Sequence, residues 1–521
     1  SVKSRGLGDV YKRQLCDNTT GTNNTALGSS ALRDTTTGLR NIGIGNNAIR
    51  NATTACCNIA IGVSAMQNGT TGNDNTAVGN AALQANNTGT KNVGVGGLAL
   101  DANTTAACNT AVGYNSLGAN TTGCMNVAVG TDSMVTTTTG KENTAVGKLS
   151  MGCNTTGSYN AAFGTNTMQC NTEGDENTAF GMQAMNKNTT GEHNSALGSN
   201  ALGNTTTGSR NVAAGRLAMH ANTTGHGNVA VGLCALNANT DQNDSVAIGH
   251  CALDANTCPN MTAVGAYALQ LNTTGANNVA VGMGSLDANT EGDNNVAVGG
   301  QALGANTTAT GNTAVGYQSL DANTTGFNNT AVGNCSGSGV TTGDCNTYVG
   351  AFAAYTASTG NNNTAVGDQA LSLMTDASDN TALGRSASLK TTTGSENTTV
   401  GSIAAWCGTT AGGNTAVGYA ALERVTTGGV NTSMGVLSLK GNTTGVGNVG
   451  IGYASGCTTT TGDCNTTIGY RANTDDSDAQ YQIVIGAGDG SNNFGSGGTN
   501  TVRIGRRTSY IENNFGNNAN W

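Results

Sequence analysis

Cysteines are the residues of this chain best able to do chemistry, and several of them are regularly spaced. Cys153 and Cys170 are 17 residues apart, and so are Cys234 and Cys251. If the chain folds into coils stacked about 4.8 Å apart, residues one repeat apart satisfy the Cα separation that a disulfide requires. Such disulfides indicate an oxidising, extracellular location; free thiols packed as small core residues are the alternative. Three further candidate pairs are Cys108 with Cys124, Cys335 with Cys345, and Cys457 with Cys464.

Other residues with catalytic or metal-binding potential are scattered. The four histidines lie in different repeats without metal-ligand spacing, at His193, His220, His226 and His250. Asp475, Asp476 and Asp478 form an acidic cluster, interpreted as a solvated loop with a Ca²⁺ site as the alternative. The sequence contains no nucleophile elbow, zinc-helix motif or Walker loop. We therefore predict a protein that is not an enzyme and uses no metal or cofactor.

Composition narrows the function classes further. The chain has 21 Lys and Arg against 30 Asp and Glu, a net charge of -9, which argues against nucleic-acid partners. Aromatic residues make up 4% and charged residues 10% of the 521 residues. No apolar stretch approaches the length of a membrane span. These values suit an elongated structural protein better than an enzyme.

A repeat of 17 residues, ending in Asn-Thr-Ala-Val-Gly or a close variant, organises nearly the whole chain. Its closing glycine recurs from Gly28 to Gly486, with one spacing of 16 between Gly249 and Gly265. A unit of this length is too short to bury its own apolar face, so neighbouring units must stack. The repeat therefore predicts one elongated domain over residues 15–486.

The pattern inside one repeat predicts β-structure. Asn126-Val127-Ala128-Val129-Gly130 reads as a short strand and a turn, and a bulky apolar residue such as Met134 follows four residues later. Frequent glycine, Asn and Thr give poor helix propensity. We predict an all-β fold, a parallel β-solenoid (β-roll) of 17-residue coils, each with two short strands and two turns.

Asparagine is nearly constant four residues before each glycine. Buried amides require partners, and stacking lets each amide bond to the next coil. We predict a structural Asn ladder through Asn24, Asn41, Asn58, Asn75, Asn92, Asn109, Asn126 and Asn143.

The strand is apolar on both faces, because alternation places Ala128 on one side and Val129 on the other. Two-sided burial favours several chains around a common axis, so we predict a homotrimeric rod. A monomeric solenoid with a tightly packed small-residue corner is the alternative. Open solenoid ends also favour an end-to-end polymer.

The repeat resembles two known groups of proteins. Its strand motif is similar to the head repeats of YadA-like trimeric autotransporter adhesins, and the run Asn312 to Leu320 is similar to repeats of phage and large-virus tail fibres. The resemblance covers about Asn24 to Gly486. It implies a left-handed parallel β-roll in a homotrimer, and it says little about ligands.

Both ends of the chain depart from the repeat. The segment from Ser4 to Gln14 resembles the translation of a sequencing-library transposon adapter, so residues 1–14 are expected not to be native. Residues 487–521 are rich in Gly and Asn, and Thr501 to Ile511 resembles the passage that precedes a trimerising chaperone domain in tail fibres. We interpret this segment as a junction to a further domain.

Sequons recur at one turn of the repeat, which predicts glycosylation if that turn lies on the surface. The candidate sites are Asn103, Asn120, Asn154, Asn188, Asn222, Asn272, Asn306, Asn323 and Asn442.

These features predict a structural extracellular fibre: the shaft of a surface adhesin, of a viral tail fibre or of a free filament. Its partner is then itself, and any cell-surface or glycan receptor binds a region outside this sequence. An ice-binding or carbohydrate-binding β-solenoid is the alternative, although the adjacent Thr121 and Thr122 point to opposite sides and give only one Thr row per face. A polysaccharide-degrading fibre requires paired carboxylates, which the scattered acidic residues do not supply.

Overall fold

The chain is all-β, and short strands follow one another at the repeat spacing. A computed structural model describes residues 14–474, 476–488, 501–506 and 509–514. The chain divides into two units, the first ending at Asn260 and the second beginning at Met261. In each unit the described residues form a parallel β-solenoid without helices, which confirms the predicted fold class. Residues 1–13 of the predicted adapter segment, Asp475 of the acidic cluster, and residues 489–500, 507–508 and 515–521 of the C-terminal segment lie outside the described residues.

Each coil contributes one strand, and most strands are three residues long. The first unit contains β1 Thr25–Leu27, β2 Ile42–Ile44, β3 Ile59–Ile61, β4 Thr76–Val78, β5 Val93–Val95, β6 Thr110–Val112, β7 Val127–Val129, β8 Thr144–Val146, β9 Ala161–Phe163, β10 Thr178–Phe180, β11 Ser195–Leu197, β12 Val212–Ala214, β13 Val229–Val231 and β14 Val246–Ile248. The second unit contains β15 Thr262–Val264, β16 Val279–Val281, β17 Val296–Val298, β18 Thr313–Val315, β19 Thr330–Val332, β20 Thr347–Val349, β21 Thr364–Val366, β22 Thr381–Leu383, β23 Thr398–Val400, β24 Thr415–Val417, β25 Thr432–Met434, β26 Val449–Ile451, β27 Thr466–Ile468, β28 Ile483–Ala487, β29 Thr501–Arg506 and β30 Ser509–Asn514.

Strands pair in parallel with the strand one repeat ahead. Ala128 of β7 lies opposite Ala145 of β8, and Val129 lies opposite Val146. The same register runs from β1 to β14 and from β15 to β28 within the two units. Identical positions therefore form rows along each unit, spaced about 4.8 Å apart.

The closing glycine of each repeat adopts a backbone conformation that other residues rarely adopt. Gly130 has φ of 137°, and a Cβ built on it lies 2.5 Å from the carbonyl oxygen of Gly147 in the next coil. This backbone region is essentially restricted to glycine, and the contact leaves no room for a side chain. The glycine period is therefore a requirement of stacking as well as of turn geometry.

The prediction of a second strand in each coil is wrong. The second and fourth residues after the glycine have positive φ, as at Asp132 and Met134, both 53°. These left-handed residues break the extended backbone that a strand requires. The segment still bonds to the next coil, because the Met134 amide donates to the Ser150 carbonyl at 3.0 Å. This segment is a turn with left-handed residues at two positions, and it stacks on the equivalent turn of the next coil.

The core of each coil is thin and built from two apolar positions. In most coils the central strand residue is Ala and the fourth residue after the glycine is Leu, Met or Ile; Ala128 and Met134 are both fully buried. A short strand facing a single bulky side chain fills the interior without larger residues. The inward face of the strand is therefore buried within one chain.

Among the coils that depart from this packing, one replaces the missing bulky side chain with a tyrosine from the next strand. Gly337 stands where most coils have a bulky residue, and Tyr348 of β20 stands where most coils have Ala. Tyr348 is fully buried, and a Cβ built on Gly337 lies 2.7 Å from its Cδ2. The phenol ring therefore occupies the space that the bulky side chain takes up elsewhere.

Stacking continues beyond the predicted end of the solenoid at residue 486. Strand β29 pairs in parallel with β28, with Ile504 opposite Ile485. Strand β30 then pairs antiparallel with β29 and occupies its other edge. The segment interpreted as a junction over residues 487–521 thus contributes two strands that extend the sheet.

Candidate functional site

The asparagine row four residues before the glycine forms a hydrogen-bonded ladder. The Nδ2 of Asn92 donates to the Ala106 carbonyl at 2.8 Å. Its Oδ1 accepts from the backbone amide and the Nδ2 of Asn109, at 3.0 and 3.3 Å. Of the predicted ladder residues, Asn24 is half-buried and the others are fully buried, with the same coil-to-coil bonding. These side-chain amides are hydrogen-bonded inside the solenoid and are therefore not available to a ligand.

The predicted glycosylation sites form a second internal ladder, so that prediction is wrong. The Nδ2 of Asn120 donates to the Oδ1 of Asn103 at 2.9 Å and to the Gly123 carbonyl at 3.0 Å. A glycan attached to this nitrogen is incompatible with a fully buried, doubly bonded amide. All nine candidates are fully buried: Asn103, Asn120, Asn154, Asn188, Asn222, Asn272, Asn306, Asn323 and Asn442.

The second ladder has gaps where the next coil carries another residue. Thr137, Thr205 and Val340 follow Asn120, Asn188 and Asn323 by one repeat. Within the described chain, the buried Oδ1 atoms of these three asparagines have no hydrogen-bond partner. An unpaired buried acceptor costs about 1–3 kcal/mol, so each gap is a local weakness of the interior.

The outward face of the strands is the surface most suited to a partner. The third residue of every strand from β1 to β28 is apolar, and none of these side chains is buried. The first residue is Thr, Val, Ile, Ala or Ser, so neither outward position carries a charge in any of these strands, against 10% charge for the whole chain. We call these two rows the outer strand face.

Large apolar side chains on the outer strand face stack on one another. The rings of Phe163 and Phe180 are parallel, with centroids 4.5 Å apart. Phe180, Leu197 and Val212 border a shallow apolar depression of about 430 Å³. Leu197 is 60% exposed, and contact of its apolar side chain with water is energetically unfavourable. A contiguous exposed apolar surface marks an interaction site.

The cysteine pairs one repeat apart occupy equivalent positions in neighbouring coils. Cys234 and Cys251 are both the second residue after the glycine, and they lie close enough for the Cys234 thiol to affect the pKa of Cys251. Burial, Asp254 and Cys234 raise the pKa of the Cys251 thiol, whose Sγ also lies 3.6 Å from Nε2 of His250. Cys153 and Cys170 share the sixth position, and Cys153 contributes to the raised pKa of Cys170, after burial. In the third pair, Cys108 is equivalent to Met125 of the next coil, so Cys124 is offset from Cys108 by one position.

The two pairs predicted within one coil are not brought together. Cys345 precedes β20 and Cys335 follows β19, and the pairing of Thr330 with Thr347 places them beyond opposite ends of these strands. Cys464 precedes β27, and a Cβ built on Gly447 lies 3.5 Å from its Sγ. Cys457 instead lies in a turn beside Arg471 and Lys440. All fifteen cysteines are free thiols in this structure.

We expect oxidised glutathione to join Cys234 to Cys251, because thiol–disulfide exchange needs only two sulfurs within reach and an electron acceptor. The measurement is peptide mass spectrometry after non-reducing digestion. Cys335 and Cys345 are the internal control and should form no bond with each other. Recovery of a Cys335–Cys345 peptide with no Cys234–Cys251 peptide contradicts the register of the coils.

The histidines and acidic residues form small surface contacts. Nδ1 of His193 lies 3.2 Å from the Glu176 carboxylate, and Nδ1 of His226 accepts from the Ser209 amide at 3.0 Å. His220 Nδ1 lies 3.2 Å from the Asn200 carbonyl, and His250 contacts Cys251. Over the part of the chain that the structure describes, no three His, Cys, Asp or Glu residues are grouped to hold a metal ion. The described residues also contain no helix long and apolar enough to cross a bilayer.

Comparison with known proteins adds no family to this description. No protein-family model matches the chain, and a search of curated proteins gave no significant match.

Proposed function

We propose that this chain is the shaft of a structural extracellular fibre, in which three copies pack through their outer strand faces. The observation that carries the proposal is that the third strand residue is apolar in every strand, from β1 to β14 in one unit and from β15 to β28 in the other. Each of these side chains remains half-buried or exposed in the single chain. A row of side chains that stays in water has no physical reason to be apolar in every coil.

The spacing of the face favours another copy as the partner. Side chains recur about every 4.8 Å along each unit, and a second solenoid of the same repeat presents the same spacing. Fourteen strands in one unit give a face about 65 Å long. Closed symmetry around one axis lets each copy present this same face, and a trimer matches the adhesin and tail-fibre repeats that the sequence resembles.

The mechanism of such a fibre is mechanical. Backbone hydrogen bonds run from coil to coil at the strand and the turn, as from Gly130 to Val112 at 2.7 Å and from Met134 to Ser150 at 3.0 Å. Two asparagine ladders add side-chain bonds along the same axis. Many parallel bonds loaded together resist extension, which suits a shaft that holds an adhesin or a viral receptor-binding tip at a distance.

One of the threonine rows that favours the ice-binding alternative is hydrogen-bonded within the solenoid. In the row that includes Thr121, the hydroxyls bond to the next coil; the Thr121 hydroxyl donates to the Thr138 carbonyl at 3.2 Å. The same bond recurs from Thr36 to Thr53 and from Thr155 to Thr172, both at 3.0 Å. Hydroxyls already bonded to carbonyls offer little to water.

Charges placed on the outer strand face should dissociate the assembly. We expect a triple substitution of Val298, Val315 and Val332 to Lys to convert a trimer into monomers, because three buried like charges per copy meet at the axis. These residues are 36–38% exposed in the single chain, so its fold should tolerate the change. The measurement is molar mass by light scattering, with circular dichroism to follow the fold.

The matched control places three lysines on the same coils but on another face. Thr308, Thr325 and Thr342 are exposed turn residues of these coils. Their substitution by Lys should leave the mass of the wild-type assembly unchanged. A monomeric wild-type chain, or equal masses for the outer-face variant and the wild type, overturns the proposed packing.

A further inference from the structure

Charge is unevenly distributed along the second unit. The stretch from Met261 to Gly384 contains eight Asp and Glu and no Lys, Arg or His. We call it the acidic segment, and it spans strands β15 to β22. From Arg385 to Gly486, by contrast, five Lys and Arg are interspersed with six Asp and Glu. The carboxylates of the acidic segment therefore have no basic side chain within that segment to balance them.

The carboxylates of the acidic segment are distributed around the solenoid. Four of them are exposed and occupy three different rows of the coil: Glu291, Asp368, Asp376 and Asp379. The other four are half-buried: Asp287, Asp293, Asp321 and Asp344. Ion pairs between described residues all lie outside this segment, as between Glu423 and Lys440 at 3.0 Å. The acidic segment therefore projects a negative field into the surrounding water.

Two of these carboxylates already repel each other within one chain. Asp287 and Asp321 are two coils apart, and Gly304 of the coil between them has no side chain to separate them. A Cβ built on Gly304 lies 3.1 Å from Oδ1 of Asp321 and 3.7 Å from Oδ1 of Asp287. Burial, and then the charge of Asp287, raise the pKa of Asp321. The acidic segment thus carries like-charge repulsion before a second copy approaches.

Assembly multiplies this charge. Under closed rotational symmetry the equivalent residues of all copies lie at the same height, so three acidic segments lie side by side. Strands β15 to β22 cover about 35 Å along the second unit. Three times eight carboxylates over that length give roughly one negative charge per 1.5 Å, close to the one per about 1.7 Å of double-stranded DNA. A rod of this charge density gathers counterions along its whole length.

The acidic segment offers these counterions a field rather than a coordination site. Over the described residues, no three His, Cys, Asp or Glu side chains are grouped to hold a metal ion. One oxygen of Asp293 is also engaged, because it accepts from the backbone amide of Ala276 at 2.7 Å. The segment therefore attracts cations by its total charge. Multivalent cations are favoured, since each one replaces several condensed monovalent ions.

We propose that multivalent cations associate with the acidic segment and thereby permit three copies to pack through their outer strand faces. The inference rests on the proposed function, because a single chain has only a third of the charge density of the assembly. The cations lower the repulsion between neighbouring acidic segments, and the apolar contacts of the outer strand face supply the attraction. Assembly then responds to the cations in the surrounding solution.

The test measures molar mass by light scattering on the full chain, first treated with EDTA and dialysed into about 10 mM NaCl, where the Debye length is about 30 Å. Spermine, MgCl₂ and NaCl are then titrated separately. We expect monomers at the start and trimers at the end of each titration, with spermine acting at the lowest concentration and NaCl at the highest. Screening alone predicts that MgCl₂ acts at about a third of the NaCl concentration. Association with the acidic segment predicts about a tenth or less.

Variants assign the effect to the acidic segment. Neutralising its four exposed carboxylates should lower the MgCl₂ concentration at half-assembly about tenfold, because half of the segment's charge is removed. These substitutions are Glu291→Gln, Asp368→Asn, Asp376→Asn and Asp379→Asn. The matched control removes four exposed carboxylates of the first unit, where Lys and Arg are interspersed, and should change that concentration much less. Its substitutions are Asp74→Asn, Glu142→Gln, Glu173→Gln and Glu192→Gln.

The outcomes separate this inference from the proposed function. Monomers of both the wild type and the neutralised variant at every salt and cation concentration overturn the proposed function, and the inference with it. Trimers at the start of the titrations, with no response to MgCl₂ or spermine, overturn the inference alone. So does an equal shift in the neutralised variant and the control, or MgCl₂ acting at only a third of the NaCl concentration. MgCl₂ acting below spermine indicates a coordination site and contradicts association by total charge.

Discussion

Substituting Gly96 by Ala should disrupt the stack of coils around β5 and β6. Gly96 has φ of 136°, and a Cβ on it lies 2.6 Å from the carbonyl carbon of Gly113. The backbone strain alone costs about 1–3 kcal/mol, and the clash with the next coil adds to it because the neighbour is backbone and cannot rotate away. We expect the amides from residue 93 to residue 113 to lose most of their hydrogen-exchange protection.

The neighbouring residue supplies the control for this prediction. A Cβ on Gly97 makes only ordinary contacts, the nearest at 3.5 Å with the Tyr114 ring, and the φ of Gly97 lies outside the strained region. Gly97→Ala should therefore leave protection unchanged or raise it slightly, because alanine has less freedom in the unfolded chain. Hydrogen exchange followed by mass spectrometry compares the two variants. Equal protection in both contradicts the proposed role of the repeat glycine.

The second large effect is expected where Tyr348 replaces alanine. Removing its fully buried ring by Tyr348→Ala leaves a cavity, at a cost of about 3–5 kcal/mol. Gly337→Leu alone should also destabilise this coil, because the new side chain meets Cδ2 of Tyr348. The double variant restores the pairing of a bulky apolar residue with Ala that most coils have, so we expect stability near that of the wild type.

This cycle is best measured locally, because unfolding of a long repeat array is not two-state. Hydrogen exchange over residues 330–366 reports the opening free energy of the coils involved. Phe352→Ala, which truncates a 36% exposed aromatic residue in the same region, is the control and should cost little. Additive losses in the double variant contradict the compensation, since residues in contact should be strongly coupled.

Much of the architecture is predictable from the sequence because the repeat is strict. The glycine period fixes the coil length, the Asn-Thr-Ala-Val run fixes the strand, and a constant asparagine is costly to bury without a partner. Even the direction of the ladder bonds follows from stacking identical coils. The observed bonds of Asn92 to Ala106 and to Asn109 have the predicted character.

The second strand could not be predicted from residue types. Apolar residues such as Leu117 and Met134 favour β-structure by pattern, yet both adopt left-handed backbone, with φ of 52° and 53°. This conformation is unfavourable for each residue alone, and neighbouring coils impose it through hydrogen bonds and burial. Tertiary stacking therefore overrides local preference, which a single repeat does not reveal.

The glycosylation prediction is wrong because a sequon is a local motif that does not specify whether its asparagine faces the inside or the outside of the coil. Asn103 and Asn120 each begin an Asn-Thr-Thr sequence that matches a sequon, but the same asparagines recur one repeat apart. Recurrence at one position was the signal that predicted the first ladder. Applied equally here, it predicts a second buried ladder, which is where these residues lie.

The thin core explains why the outer face matters for function. Each strand buries one small residue inward and turns two side chains outward, which are half-buried in β7 and β8. The ladders pair most of the interior amides, whereas the side chains of the outer strand face remain half-buried or exposed along each unit. In the function proposed above, the inside of the solenoid supplies stability and this outer face supplies assembly.

Electron cryo-microscopy of the purified chain tests the central claim most directly, because it shows how many chains share one cross-section. The account predicts three solenoids around one axis, with Val298, Val315 and Val332 of each facing that axis and a rise of about 4.8 Å per coil. A cross-section containing a single chain, with the outer strand face in solvent, contradicts it.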